Sequence, residues 1–209
     1  MIMSLRKNFI FIRTRKTASS TIETVLRQSL DPEDIYVAQS ALRHPNGEHA
    51  TILSSSGEEN IAGHMAAEDI VKLVPESFWN SCFKFTSERH PYEKAVSLAY
   101  YKFGKGQERK GDFTEFLDRI IKRGHYRSFD QYTIDGEVVV SDFVRHETLL
   151  ADLNRIGRMI GFSVPDELPQ KRTVFRTDRR PARDILSEQQ KRHVFERCRE
   201  EFDLLGYEP

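Results

Sequence analysis

Two hydrophobic rhythms alternate along this chain. Phe9–Ile12 is an unbroken apolar run of β-formers, the pattern of a strand covered on both faces. After a short polar turn, Ile22, Val25 and Leu26 fall at i, i+3 and i+4, which is one face of a helix. Ser20-Thr21-Ile22-Glu23 fits the capping-box pattern and places the helix start within Thr17–Ser20. Asp31-Pro32 is a stop signal, and Ile35-Tyr36-Val37-Ala38 reads as a second short strand. The polar connection 39–60 is broken by His44-Pro45-Asn46-Gly47 and Ser54-Ser55-Ser56-Gly57, and connections that long usually carry function or move. Ile61-Ala62-Gly63-His64 predicts a short strand ending in Gly-His. A helix over 66–74 follows, built on Ile70, Val71 and Val74 and stopped by Pro75.

The second half keeps the same alternation. Cys82 to Ser87 predicts a strand, and Glu88-Arg89-His90-Pro91 turns the chain into a helix over Pro91–Phe103 with Ala95, Val96, Ala99 and Tyr100 inward. Gly104 and Gly106 end that helix in a basic loop reaching Lys110. Asp112 opens another helix with Phe113, Phe116, Leu117, Ile120 and Ile121 inward, and Asp135-Gly136 is a hairpin turn. Phe143-Val144 leads into a helix carrying Leu149, Leu150, Leu153, Ile156 and Ile160, closed by Gly161. A basic loop between Pro169 and Pro181 holds Lys171, Arg172, Arg176, Arg179 and Arg180; Ser187 then caps a last helix with Val194, Phe195, Cys198 and Phe202. Alternating strand and helix signals predict an α/β fold: a single domain over 1–209 with a mostly parallel central sheet flanked by helices.

Composition narrows the class. Lys+Arg and Asp+Glu are both 32 among 209 residues, so the net charge is zero, which argues against a general polyanion binder and predicts no nucleic-acid partner. A charged fraction of 31% with 14 Phe and 7 Tyr fits neither disorder nor a membrane protein. The longest apolar runs fall short of a bilayer span, and no leader pattern precedes the first strand. Cys82 and Cys198, in a predicted strand and a predicted helix, read as reduced core thiols. His44, His49, His125, His146 and His193 show no ligand spacing, so no metal site is expected. The working class is a cytoplasmic enzyme or binding protein with no membrane partner; its oligomeric state is not legible.

The chemistry concentrates at the first strand–turn–helix corner. A helix start offers backbone N–H groups and a partial positive charge to an anion. Here it also carries the Lys16 ammonium and hydroxyls from Thr17, Ser19, Ser20 and Thr21. That combination reads as a P-loop-like phosphate site, with a plain N-cap and a surface lysine as the alternative. The triphosphate pattern G-x-x-x-x-G-K-[ST] is not met, because it needs glycines at Ile10 and Arg15.

Two separated stretches resemble the sulfotransferases that use 3′-phosphoadenosine 5′-phosphosulfate (PAPS). Lys16-Thr17-Ala18-Ser19-Ser20 resembles that family's 5′-phosphosulfate loop. It is closest to the P-K-T-A-[SG]-[TS] version of the carbohydrate branch, the heparan sulfate 2-O-type and bacterial enzymes. Thr86 to Ser97 resembles the 3′-phosphate motif R-[ND]-P-[YWF]-x-[RK]-x-x-S, with Arg89 and Ser97 at the required separation. Weaker likeness continues through Phe143–Leu149, similar to [RG]-[FY]-E-x-L, and Leu204-Leu205-Gly206-Tyr207, similar to the F-G-Y ending. Two departures stand out: Arg15 replaces a frequent proline, and His90 replaces the usual Asn or Asp. Without the stem and membrane anchor of the Golgi enzymes, the chain resembles a compact, soluble, bacterial form.

The resemblance implies sulfuryl transfer from PAPS, by in-line attack, to a hydroxyl of a carbohydrate or other polar alcohol, leaving adenosine 3′,5′-bisphosphate (PAP). Arg15, Lys16, Thr17, Ala18, Ser19 and Ser20 would bind the 5′-phosphosulfate end, and Arg89 and Ser97 the 3′-phosphate. Lys16 would stabilise the leaving phosphate. His64 matches the family's Gly-His segment in order and is the expected general base, since imidazole titrates near working pH. The bland alternative for His64 is a capping or core histidine. Glu68, at i+4 from His64, is a second base candidate or orienting partner, against the plainer reading of a solvated helix carboxylate. The basic loop 171–183 either closes over the nucleotide, recognises an acidic acceptor, or is simply solvated. Acceptor recognition falls to loops such as 39–60 and 104–111, which carry no readable code. Two other functions fit the residues: a nucleotide or small-molecule kinase with a degenerate phosphate loop, and a non-catalytic nucleotide-binding module.

Overall fold

The structure, a computed structural model, describes residues 1–38, 41–48, 50, 64–106, 112–169 and 175–209. In chain order the elements are β1 (Ile2–Ser4), β2 (Phe9–Ile12), α1 (Ser19–Arg27), β3 (Ile35–Ala38), β4 (Ala41–Arg43), α2 (Ala67–Leu73), α3 (Glu76–Ser81) and β5 (Phe83–Glu88). They continue with α4 (Pro91–Gly104), α5 (Phe113–Arg123), β6 (Thr133–Ile134), β7 (Glu137–Val138), β8 (Asp142–Arg145), α6 (Leu149–Ile160), α7 (Ala182–Ile185), α8 (Glu188–Arg197) and α9 (Arg199–Leu205). The described residues gather into two compact units. One comprises Met1–Thr14, Ala18–Glu88 and Asp130–Pro169; the other Arg15–Thr17, Arg89–Phe129 and Gln170–Pro209.

The first unit is built on a six-stranded sheet of order β4-β3-β1-β2-β5-β8. β2, β5 and β8 pair in parallel, with Ile12 opposite Thr86 and Ser87 opposite Val144. β3 is antiparallel to β1, which is antiparallel to β2, so β3 runs in the same direction as the parallel trio. The α/β class and a sheet whose strands mostly share one direction are therefore as expected. β1 and β4 are additions that period alone did not reveal, because each is only three residues long. The predicted strand over Ile61–Gly63 lies outside the described residues, whereas the Asp135-Gly136 turn forms a separate ribbon of β6 and β7 with positive φ at both turn residues.

On one face of the sheet, Phe9, Phe11 and Phe85 stack against Ile22, Val25 and Leu26 of α1 and Leu153 and Ile156 of α6. The apolar stripe read from α1 is thus its buried face. Continuous apolar β2 is covered throughout, all four residues being buried.

The second unit is helical. Tyr92, Ala95, Val96 and Ala99 of α4 pack with Phe116, Leu117 and Ile120 of α5 and with Val194, Cys198 and Phe202. Cys198 sits between α8 and α9 rather than inside one helix, and Cys82 is the residue that ends α3 just before β5. Both cysteines are buried free thiols, and burial raises the Cys82 pKa above its ordinary value. Lys94 is buried in the middle of α4, and its ammonium meets Glu201 of α9 at 3.1 Å and Ser128 Oγ at 3.1 Å. No described helix is long and apolar enough to cross a membrane.

Candidate active site

The parallel pairing of β2 and β5 sets their carboxyl ends side by side, the edge at which open α/β sheets take ligands. Hydroxyls brace that edge. Thr86 Oγ1 donates to the Ile12 carbonyl at 2.8 Å, and Thr14 Oγ1 donates to the Ser87 carbonyl. Ser19 Oγ, at the head of α1, donates back to the Thr14 carbonyl at 2.8 Å. Thr14, Ser19, Thr86 and Ser87 are all buried, so each bond contributes about 1 kcal/mol, and losing one partner costs more than that.

The loop from β2 into α1 turns through two left-handed residues, Lys16 at φ 64° and Ala18 at φ 67°. Neither is glycine, so the bend is held at a cost of about 1–2 kcal/mol per residue, a form of strain that clusters at ligand sites. Ala18 is the N-cap of α1 and has no side chain able to cap it. The helix begins at Ser19, inside the expected window, but the Ser20–Glu23 capping box does not form. Glu23 turns instead to Arg13, whose Nη1 lies 2.7 Å from its carboxylate and whose Nη2 lies 3.5 Å from Ser20 Oγ. A buried guanidinium outcompetes a backbone N–H for that carboxylate because the pair is charge-assisted. The first turn of α1 therefore keeps its positive end without a side-chain cap. Arg15 is exposed, Thr17 is buried, and Lys16 and Ser20 are half-buried.

His64 belongs to the sheet unit and approaches the end of β2. Its Nδ1 lies 3.3 Å from the Arg13 carbonyl, and its own carbonyl accepts from Gln131 Nε2 at 3.5 Å. A carbonyl can only accept, so Nδ1 carries the proton in the neutral ring and the lone pair falls on Nε2. Gly63 lies outside the described residues. Glu68 is exposed and pairs with Lys72 at 3.5 Å across one helical turn, the arrangement of a solvated helix face.

Within the helical unit, α4 organises the rest. His90 is its N-cap: Nδ1 accepts from the Tyr92 N–H at 3.2 Å, which leaves Nε2 to donate to the Glu208 carbonyl at 2.9 Å. The histidine thus does the capping work of the Asn or Asp it replaces, with Pro91 in the first turn. Arg89 Nη2 meets Glu93 Oε2 at 2.8 Å, and Arg176 Nη1 reaches the same oxygen at 2.6 Å. Glu93 Oε1 accepts from the Ala182 N–H at 2.7 Å. Burial alone pushes Glu93 upward, but the hydrogen bonds from Arg176 and Ala182 and the charges of Arg89 and Arg176 outweigh it and hold the carboxyl below its ordinary value. Ser97, half-buried, follows one turn after Glu93 on α4, and Tyr101 one turn after Ser97. The Lys16 ammonium lies over the Tyr101 ring at 4.3 Å from its centroid, and Lys105 lies over the same ring at 4.8 Å.

A family profile described as the sulfotransferase family matches residues 1–208. The chain belongs to the sulfotransferase family. No curated protein and no solved structure matches it. In this sulfotransferase, Lys16, Arg89 and Ser97, quoted from two distant motifs, fall in one compact unit around α4. Ser19, Ser20 and His64 fall in the other, around the carboxyl end of β2. Of the basic loop, Lys171 and Arg172 lie outside the described residues, while Arg176 and Arg180 are engaged, Arg180 with Asp178 at 2.7 Å. Within the described part of that loop Arg176 is ion-paired with Glu93, while Arg179 and Arg180 are exposed. Glu93 and Tyr101 are not specified by either motif, although each lies at i+4 from a motif residue. Arg176 is legible in sequence as one cation of the basic loop, but its pairing with Glu93 is not, because the two are far apart in the chain.

Proposed function

We propose that this sulfotransferase takes its sulfuryl group from PAPS and delivers it to a hydroxyl of a carbohydrate or other polar alcohol, with 1–209 acting as one catalytic domain. The observation that carries the reading is the placement of Lys16 over Tyr101, one turn beyond Ser97 on the helix that Arg89 precedes. That brings the cation of the first motif to the helix of the second. The donor set fits the group: an ammonium, a guanidinium and a helix start without a side-chain cap all favour a nucleotide that is anionic at both ends. PAPS, when bound, supplies the sulfuryl group and leaves as PAP.

The loop Arg15–Ser20 holds the 5′ end through Lys16 and the backbone of Thr17, Ala18, Ser19 and Ser20. The Ser19 hydroxyl braces Thr14, so its contribution is to loop shape. Arg89 and Ser97 hold the 3′-phosphate. Lys16 keeps a positive charge where the leaving oxygen becomes negative. His64 accepts the acceptor's proton at Nε2, the nitrogen left basic by the Arg13 carbonyl.

The test is PAP release from PAPS, followed chromatographically against a panel of soluble oligosaccharides and simple polyols. Acceptor-dependent PAP release that disappears in Lys16→Ala supports the reading. Turnover of ATP in the presence of Mg²⁺, with none from PAPS, would overturn it.

A further inference from the structure

Glu93 stands where simple electrostatics forbids it. A carboxylate beside an arginine meant for phosphate adds negative charge to an anion site, yet this one is half-buried and fully engaged. Its Oε2 accepts from both Arg89 Nη2 and Arg176 Nη1, and its Oε1 accepts from the backbone N–H of Ala182. Arg176 is further fixed by donating through Nε to the Asp178 carbonyl at 2.9 Å and through Nη2 to the Arg180 carbonyl. Two guanidiniums sharing one oxygen repel each other unless an anion lies between them. Glu93 is that anion, and it sits on α4 one turn before Ser97.

We propose that Glu93 is a positioning residue for the 3′-phosphate. Its carboxylate locks Arg89 in one rotamer and ties the segment 176–182 to α4, so its negative charge strengthens phosphate binding rather than weakening it. This rests on the PAPS reading above. Without the carboxylate, Arg89 gains rotamer freedom that binding must then remove, and Arg176 repels it. The charge balance has the same logic. Two cations and one fixed anion leave a net positive site of defined shape, where two unshielded arginines would splay apart.

Calorimetric titration of the full chain with PAP and with 5′-AMP, which lacks the 3′-phosphate, separates the possibilities. Glu93→Gln keeps the side-chain shape and removes the charge. It is expected to weaken PAP about tenfold, the coupling typical of one charged network, while 5′-AMP stays within about twofold. Glu93→Asp, which keeps the charge on a shorter arm, recovers part of the loss. In an Arg89→Ala background, Glu93→Gln adds less than about a twofold further loss, because the effect runs through Arg89. Unchanged or tighter PAP binding in Glu93→Gln would overturn the proposal, and so would equal weakening of both ligands. A wild-type chain that does not prefer PAP over 5′-AMP would instead refute the PAPS reading itself.

Discussion

Replacing Lys94 by Met should destabilise this protein more than any surface charge change. Lys94 Nζ and Glu201 Oε1 are 3.1 Å apart, and both side chains are fully buried. At that distance the attraction is about 5 kcal/mol for an effective dielectric near 20. Glu201 Oε1 also accepts from the backbone N–H groups of Ser128 and Phe129, which ties the 124–129 turn to α9, while Glu201 Oε2 is buried with no hydrogen-bond partner among the described residues. Removing the ammonium therefore strands a desolvated carboxylate, a loss of about 3–5 kcal/mol. For a chain of this length that corresponds to a fall in Tm of about 6–20 °C. Scanning calorimetry and urea unfolding of Lys94→Met measure it directly. The double variant Lys94→Met/Glu201→Met, which removes both charges, should recover most of the loss. A single variant within about 1 kcal/mol of wild type, or a double variant no better than the single, would refute the idea that this pair anchors α4.

Other consequences follow from the same geometry. His64→Ala should lower kcat by about 10²- to 10⁴-fold and abolish the acidic limb of the pH–rate profile, while calorimetric affinity for PAP stays within about twofold. Ala18→Gly should be tolerated, because glycine adopts the φ of 67° found there, whereas Ala18→Val should weaken PAP binding by forcing a β-branched residue into the left-handed region. Glu93 has a folded pKa held below its ordinary 4.5, so its stability contribution is present above that value and is lost as pH falls through the folded pKa. Urea unfolding of Glu93→Gln between neutral pH and pH ~3 should accordingly show a shallower acid decline than wild type.

Local pattern carried the elements whose covering is local. Phe9–Ile12 announced a fully covered strand, Ser187-Glu188-Gln189-Gln190 announced a real capping box, and Asp135-Gly136 announced its turn. Where a residue had two possible partners, only the tertiary structure chose between them. Glu23 fits a capping box in sequence, but Arg13 is a stronger partner and takes it. Lys94 looks like a surface residue of an amphipathic helix, yet Glu201 draws it into the core. The short strands β1 and β4 owe their existence to neighbours in the sheet rather than to periodicity. The motif residues were legible because the two stretches that carry them resemble motifs of a known family. Their supports, Glu93 with Arg176 and Tyr101 with Lys16, depend on pairings across the fold that no spacing encodes.

The measurement to make first is calorimetric titration of the wild-type chain with PAP, with 5′-AMP and ADP alongside. PAPS dependence predicts that PAP binds at least about tenfold more tightly than either, as one well-placed phosphate–arginine contact allows, and that Arg89→Ala erases the preference. Equal affinity for the three nucleotides, or a preference for ADP, would contradict it.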